Sequence, residues 1–378
     1  MLKFNKILIF KNFFNDVFKN FLLLLFSLSL IVWVIQAVNY LDFITEDGHG
    51  INIYLKYSLL NYPKIFTKLI PVIFFISLFS TLIKYEETNE LNIFWLNGVT
   101  KVEFSKNIMK FSLIVILILL TFKIILIPFA QKQSRVFIQN STIEYFPSLI
   151  SEKNFIDTVK KLNIYIEKKN KNNLENIFLK DDRNSGTRII YAKKGYLNTS
   201  ENKKYIELED GKIISLNNQK LTEFEFKKTI FNLSNNTTKS IIDFKFQERD
   251  TLQLLNCYIS YYTFFDINKI SNSFICDSSS VKQIRGELYN RIFKPFYIIA
   301  LSILTSCMIL LSKENSYYTR LKKIIFILGF FILIISELFD SFSRHNNYIF
   351  MFSLFLPFAI FFITTYFFKQ FCLSNKLL

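Results

Sequence analysis

The sequence predicts an α-helical integral membrane protein with six transmembrane helices, split three and three around an inserted all-β domain of jelly-roll type. Three observations predict it. Six apolar stretches reach or approach the roughly 20 residues that a helix needs to cross hydrocarbon. They cluster at the two ends of the 378-residue chain. Between them, short alternating runs rich in β-branched and aromatic residues recur, separated by polar or glycine breaks.

Composition narrows the field first. The chain is 51% hydrophobic and holds 45 Phe, which excludes an intrinsically disordered chain. Eight Gly and six Pro exclude collagenous and low-complexity classes. Four Cys in this length make no disulfide framework. The formal charge of +16 suggests a nucleic-acid binder, but its distribution gives a better account.

The apolar stretches are Phe21–Val38, Ile65–Ile83, Phe111–Ala130, Ile292–Leu311, Ile324–Leu338 and Tyr348–Phe368. The second carries Lys68, the third Lys123 and the fourth Lys294; snorkelling toward an interface is the expectation for Lys68 and Lys123. The fifth extends through Phe342 if Glu337 and Asp340 are tolerated at membrane depth. Lys and Arg crowd the N-terminal segment, the loop after the second stretch, the loop after the fourth and the C-terminal tail. The opposite loops are poor in base. Both termini are therefore expected in the cytoplasm, and residues 131–290 outside. Much of the +16 is a topology signal plus attraction to anionic headgroups. The first stretch is too long for a cleavable signal peptide, and no small-x-small site follows it. The expected organisation is 1–130 for helices one to three, 131–290 for the external domain and 291–378 for helices four to six.

In the middle, the expected strands are Ile164–Ile166, Ile177–Leu179, Arg188–Ala192, Lys204–Leu208, Lys212–Leu216, Leu221–Phe226 and Ile241–Phe246. Asp210-Gly211 between two of them predicts a tight hairpin turn. Alternation as in Thr222-Glu-Phe-Glu-Phe226 gives one greasy and one wet face, as in an antiparallel sandwich or jelly roll. The greasy face is either the domain's own core or an interior open to an acyl chain. Cys257 and Cys276 lie outside, where a disulfide is permitted and free thiols are equally allowed. Cys307 and Cys372 read as packing residues.

Several chemistries are missing from the sequence. There is no P-loop, no His-Glu-x-x-His and no Cys-x-x-Cys. His49 and His345 fall in short external loops and read as solvated residues. No metal site is expected.

Two segments stand out from the apolar background. In Glu86-Glu-Thr-Asn-Glu-Leu-Asn-Ile-Phe-Trp-Leu-Asn-Gly-Val-Thr100, residues Leu91, Phe94, Trp95 and Leu96 make the apolar face of a short helix ended by Gly98. Its polar side holds Glu86, Glu87 and Glu90, which suits a protein groove better than an anionic membrane surface. In Gln283-Ile-Arg-Gly-Glu-Leu-Tyr-Asn-Arg-Ile-Phe-Lys-Pro295, Glu287 and Arg291 are spaced to pair on one helix face.

Those two segments resemble the lipopolysaccharide-export permeases of the LptF/LptG (YjgP/YjgQ) family. Asn89-Glu90-Leu91 with Gly98-Val99-Thr100 is similar to the family's short helix after the second span. Glu287, Arg291 and Pro295 match its return to the membrane, Glu-hydrophobic-x-x-Arg-x-x-x-Pro. Tyr62-Pro63 and Leu69-Ile70-Pro71 match the start of its second span. The middle, from Ile177 through Ala192-Lys-Lys-Gly195 to Leu208-Glu-Asp-Gly211, resembles the F-type subunit more than the G-type.

The resemblance implies a transport subunit rather than an enzyme, with no cofactor bound by this chain. It implies a G-type permease partner and two cytoplasmic ATPase subunits. It implies periplasmic bridge proteins with jelly-roll folds, lipopolysaccharide as cargo, and no nucleic acid. On this reading residues 86–98 are an ATPase-coupling helix in the inner membrane protein, and residues 131–290 are periplasmic. The first and fifth spans border lateral gates, which makes Lys294, Glu337 and Asp340 candidate lipid or gate residues. Lys294 meets either lipid phosphates or Glu337. The competing readings are an ABC permease of the mechanotransmission type and a non-transporting scaffold or sensor with an external β domain.

Overall fold

A computed structural model describes residues 2–41, 51–149, 152–159, 162–170, 172–182, 187–200, 203–217, 220–232, 245–263, 276–345 and 347–374. Helix α1 is Leu2–Asn39, α2 Ile51–Glu87, α3 Glu90–Leu96, α4 Lys101–Thr121 and α5 Ile127–Leu149. Six strands follow: β1 Phe155–Val159, β2 Leu162–Asn170, β3 Asn173–Asp181, β4 Thr187–Ser200, β5 Lys203–Asn217 and β6 Lys220–Asn232. Then come α6 Thr251–Thr263, α7 Ser278–Leu288, α8 Tyr297–Ser306, α9 Tyr318–Phe342 and α10 Asn347–Ser374.

Among the described residues, six helical segments are long and apolar enough to cross a membrane: Lys6–Asn39, Ile51–Glu87, Lys101–Ile138, Ser278–Leu310, Tyr318–Phe342 and Asn347–Cys372. All six expected stretches overlap them. The chain is a helical membrane protein with an inserted β domain. Many side chains on these helices are exposed and apolar, among them Leu23, Leu117, Phe331 and Phe355, as lipid-facing positions must be. The interior is aromatic. Phe10, Phe13, Phe74, Phe94 and Phe104 centre one buried cluster. Phe75, Tyr289, Tyr297 and Ile332 belong to a second. Small and polar residues let helices approach: the Phe75 ring lies against Gly329, and Asn20 Nδ2 donates to Ser80 Oγ at 3.1 Å.

The strands form one antiparallel sheet in which each pairs with its neighbours in sequence, β1 to β6. Strand β1 had no counterpart in the sequence reading. Two expected elements differ. The Asp210-Gly211 hairpin is absent: β5 runs through both residues, and β4 and β6 flank it along its length. Asp210 does take a left-handed conformation, with φ 51°. The torsion that suits a turn here serves a bend inside a strand. Of the expected strand Ile241–Phe246, residues 241–244 lie outside the described residues, and Phe246 opens a 3₁₀ turn, Phe246–Glu248.

That bend is shared by strands β3 to β6. On β3 the buried positions are Leu174, then Ile177, Leu179 and Asp181; on β4 they are Ile190 and Ala192, then Gly195 and Leu197. Strands β3 to β6 each change inward phase by one residue at a polar pair, Glu175-Asn176, Lys193-Lys194, Glu209-Asp210 and Lys227-Lys228. Neighbouring strands step together, so register is kept. Asn176, at φ 52°, and Asp210 supply the twist. A row of alternating charge crosses the sheet beside the step: Lys168, Glu175, Lys194, Glu209, Lys228. Opposite charges on facing strands favour that register over any slip. Leu162, Ile164, Ile166, Leu179, Ile206 and Leu208 are buried together, so the greasy face is filled by the sheet's own side chains.

The chain divides into two compact units. One comprises Met1–Val34, Tyr62–Ala130 and Lys245–Leu378; the other comprises Ile35–Asn61 and Gln131–Phe244. The division differs from the 131–290 boundaries of the sequence reading. Residues from Lys245 onward join the helices, because Arg291 holds them there.

Candidate functional site

The first candidate site is the turn between α2 and α4. Thr88 and Asn89 break α2, and Asn89 takes a left-handed φ of 63°. Helix α3 then ends in a Schellman motif: the Gly98 N–H donates to Trp95 O at 2.9 Å, and the Val99 N–H donates to Phe94 O at 3.0 Å. Gly98 has φ 71°, which glycine adopts without steric cost. Val99 is buried with Phe94, the apolar contact that accompanies this motif. Thr100 caps α4, its hydroxyl accepting from Glu103 N at 3.1 Å. The Gly-Val-Thr sequence is thus a helix stop followed at once by a helix start.

The apolar face of α3 is turned inward. Leu91 and Phe94 are buried, and Trp95 packs against Phe104. The outer edge of the helix presents Asn92, Ile93 and Leu96, the last 87% exposed. The acidic residues make local ties. Glu86 Oε1 accepts from the Lys313 backbone N–H at 2.7 Å, and Lys313 Nζ donates to Glu87 O at 3.1 Å. Lys322 Nζ lies 3.5 Å from Glu87 Oε1, and Glu90 accepts from Thr88. Lys6 Nζ reaches both Gly98 O at 2.9 Å and Glu103 Oε2 at 3.1 Å. The segment is therefore tied to α1, α4 and the start of α9. Lys6, Lys313 and Lys322 read in the sequence only as positive-inside charges; nothing in their spacing points to these partners.

The second candidate site is the return to the membrane. Arg291 is almost fully buried, and its fork is fully used. Nε donates to Glu287 Oε1 at 2.9 Å. One terminal nitrogen donates to Arg249 O at 3.0 Å and Thr251 Oγ1 at 2.7 Å. The other donates to Phe246 O at 3.3 Å and Gln247 O at 3.1 Å. The five donors of a guanidinium match the carbonyls of a turn that has no ladder of its own. The Glu287–Arg291 pairing expected from the spacing is present, but the pair is a buried clamp on residues 246–251 rather than an exposed helix-entry pair. Pro295 follows in a 3₁₀ turn, Lys294–Phe296, after a π-helical turn, Tyr289–Phe293.

A second π-turn, Phe122–Leu126, faces the first. Such turns leave carbonyls without a helical donor. The Lys294 N–H donates to Tyr289 O, so Asn290 O loses its helical partner; Lys123 Nζ donates to it at 2.8 Å and to Asn290 Oδ1 at 2.7 Å. Pro128 has no N–H, which leaves Ile124 O open; Thr251 Oγ1 donates there at 3.1 Å. Lys123 therefore does not snorkel. It is buried, because bonding two oxygens inside the bundle replaces what water would give. Lys68 is exposed, on the other hand.

Lys294 is also buried, 2.8 Å from Glu337 and 3.4 Å from Asp340 on α9, with Arg344 3.7 Å from Asp340. Glu337, one of the two partners expected for Lys294, is the nearer of these carboxylates. Asp277 caps α7, accepting from Ser280 N at 3.1 Å; bonds from the Ser280 and Ser279 side chains and the Ser280 backbone hold its carboxyl below the usual value. Cys257 and Cys276 form a disulfide, while Cys307 and Cys372 are half-buried within or against the helical clusters. His345 is exposed; His49 lies outside the described residues. Among the described residues no group of three His, Cys, Asp or Glu is placed to hold a metal.

This arrangement binds backbones and fixes helices. The chain is 25% identical over 234 residues to the uncharacterized protein RP871 of Rickettsia prowazekii (strain Madrid E), covering 60% of this chain and 64% of that protein. The family described as lipopolysaccharide export system permease LptF/LptG matches residues 11–370. That match takes in both candidate sites and all six spans, and the chain belongs to the LptF/LptG family of multi-pass inner-membrane proteins.

Proposed function

We propose that this chain is a permease subunit that extracts lipopolysaccharide from the inner membrane and hands it toward the outer membrane, driven by a separate cytoplasmic ATPase pair. Both termini are cytoplasmic and residues 131–290 are periplasmic. The chain is the F-type half of a heterodimer with a G-type permease, it binds no cofactor, and its periplasmic domain passes lipid to bridge proteins of jelly-roll fold. The observation that carries this reading is α3: a seven-residue helix, capped at its end and bolted to three spans, with an exposed apolar edge at Ile93 and Leu96. A chain that moves lipid against a gradient with no nucleotide site needs such a lever. Leu91, Phe94 and Trp95 anchor the lever to its own bundle; Glu86 and Glu87, at the end of α2, tie the turn before it to Lys313 and to Lys322 on α9; Glu90, Ile93 and Leu96 meet the ATPase. Lys294 with Glu337 and Asp340 holds the fourth span to the fifth at the candidate gate.

The test is co-purification of the chain with its ATPase from the native host. Leu96→Glu with Ile93→Glu abolishes it, and Glu90→Ala weakens it. Unaltered ATPase recovery and hydrolysis in these variants would overturn the lever. Mass spectrometry of lipid travelling with the complex identifies the cargo; a phospholipid in place of lipopolysaccharide would favour a different exporter. Lys294→Ala impairs lipid crosslinking to α9; normal crosslinking and export would remove it from the gate.

A further inference from the structure

One face of the β sheet is closed by its own core. The other carries a row of aromatic rings that no packing explains. In register, Phe155 pairs with Tyr165, Tyr165 with Phe178 and Phe178 with Tyr191. Ring centroids are 4.9 Å apart for Phe155 and Tyr165 and 5.1 Å apart for Phe178 and Tyr191. Phe155 is 68% exposed and Tyr191 43%. Buried aromatics would be core; rings this open on a β domain leave apolar surface in water without return.

The row runs into a groove of about 1020 Å³, lined by Tyr165, Phe178 and Tyr191 on one side. Lys193, Lys227, Asp210 and Glu225 line it as well, with Asn176. Asn176 and Asp210, the two positive-φ residues of the phase step, are both in its lining. Lys212 at the same groove is committed to Glu223 at 3.0 Å, whereas Lys193 and Lys227 make no ion pair among the described residues.

The geometry points to this groove as a binding site for a phosphorylated saccharide, the polar part of the exported lipid. Aromatic faces carry negative quadrupole, which attracts the C–H face of a pyranose ring. Asn176, Asp210 and Glu225 offer the donor and acceptors that sugar hydroxyls need. The two uncommitted ammonium groups suit a phosphate. Size and lining fit a small-ligand site, which is aromatic with a few placed polar groups. An acyl chain would leave Asp210 and Glu225 desolvated without partners. The ligand chemistry stands on the sheet alone; only the source of the sugar rests on the export reading.

The test uses the full chain in phosphatidylcholine nanodiscs. The probe is a deacylated, phosphate-bearing lipopolysaccharide oligosaccharide, read by saturation-transfer NMR. Transfer to sugar ring protons is expected. Phe178→Ala with Tyr191→Ala weakens binding at least tenfold. Lys193→Gln with Lys227→Gln weakens it to a similar degree, and leaves binding of the dephosphorylated probe unchanged. Tyr191→Ser, at an exposed site, serves if the double aromatic variant does not fold, and weakens binding several-fold. No transfer, transfer unaffected by these variants, or displacement by oligothymidylate or decanoate would overturn the site. Lipopolysaccharide co-purifying with the chain while the oligosaccharide gives no signal overturns the groove and leaves the export reading standing. Saccharide binding with no co-purifying lipopolysaccharide does the reverse.

Discussion

Lys123 Nζ donates to the backbone carbonyl of Asn290 at 2.8 Å, joining two π-turns that lie on different spans. The carbonyl is open because the π-turn redirects the Lys294 N–H to Tyr289 O. The bond therefore repairs a defect that the helix itself creates. Lys123→Met keeps length and apolar volume but removes the donor. The expected loss is about 1–3 kcal/mol, the cost of a buried acceptor left unpaired. Thermal unfolding in detergent checks it. Lys123→Gln, which keeps a shorter donor, recovers part of the loss; equal melting of Met and wild-type chains would show that the bond carries no stability.

Arg291→Lys separates charge from shape. The ammonium keeps the attraction to Glu287, but a point donor on a flexible stem does not span the carbonyls of Phe246, Gln247 and Arg249 together. Residues 246–249 then exchange amide hydrogen faster, by tenfold or more, while α8 and α9 keep their protection. Breaking a buried pair outright, with Arg291→Ala, costs more, roughly 3–5 kcal/mol. Hydrogen-exchange mass spectrometry reads both. Unchanged exchange at residues 246–249 in the Lys variant would mean that the fork is not what holds the segment.

The spans were legible because membrane solvation leaves a signal along the chain itself: an apolar run of fixed length needs no partner to be recognised. The strands were legible for the related reason that alternation is local. The hairpin at Asp210-Gly211 was misread because a positive φ serves both a turn and a bend within a strand, and only the register of β4 and β6 tells them apart. The polar pairs Glu175-Asn176, Lys193-Lys194 and Lys227-Lys228, in step with Glu209-Asp210, are the signal that would have found the bend. At the candidate sites, Glu287 with Arg291 was visible because the partners share a helix. Lys123 with Asn290, and Lys313 with Glu86, are 167 and 227 residues apart, and no spacing rule joins them.

The disulfide and the Asp277 cap fix the start of the fourth span, and the cap makes it acid-sensitive. Bonds from Ser280 and Ser279 hold the Asp277 carboxyl below its ordinary value of 3.8. A carboxylate whose folded value is depressed stabilises the fold above the unfolded value, and that contribution is lost as pH falls through the folded one. The first turn of α7 is therefore expected to fray below about pH 4, with no change between pH 5 and 8. Asp277→Asn keeps a capping oxygen and removes this dependence. Hydrogen exchange at Ser280 and Val281 across the acid range distinguishes them; the same acid fraying in both would exclude Asp277 as its cause.

Gly98 is where the lever is set. An added Cβ at this position meets nothing within 4 Å, so Gly98→Ala tests backbone conformation alone. A left-handed alanine costs about 1–2 kcal/mol. The Schellman bonds to Trp95 O and Phe94 O weaken, and α3 loses the end that fixes its angle to α4. Gly98→Asn, which tolerates positive φ through its short polar side chain, costs less. Co-purified ATPase activity is expected to fall in the order glycine, asparagine, alanine, with little change in the melting of the bundle, since Leu91 and Phe94 stay buried. If alanine and asparagine impair activity equally, side-chain bulk at the partner surface is responsible, and the conformational argument for Gly98 fails.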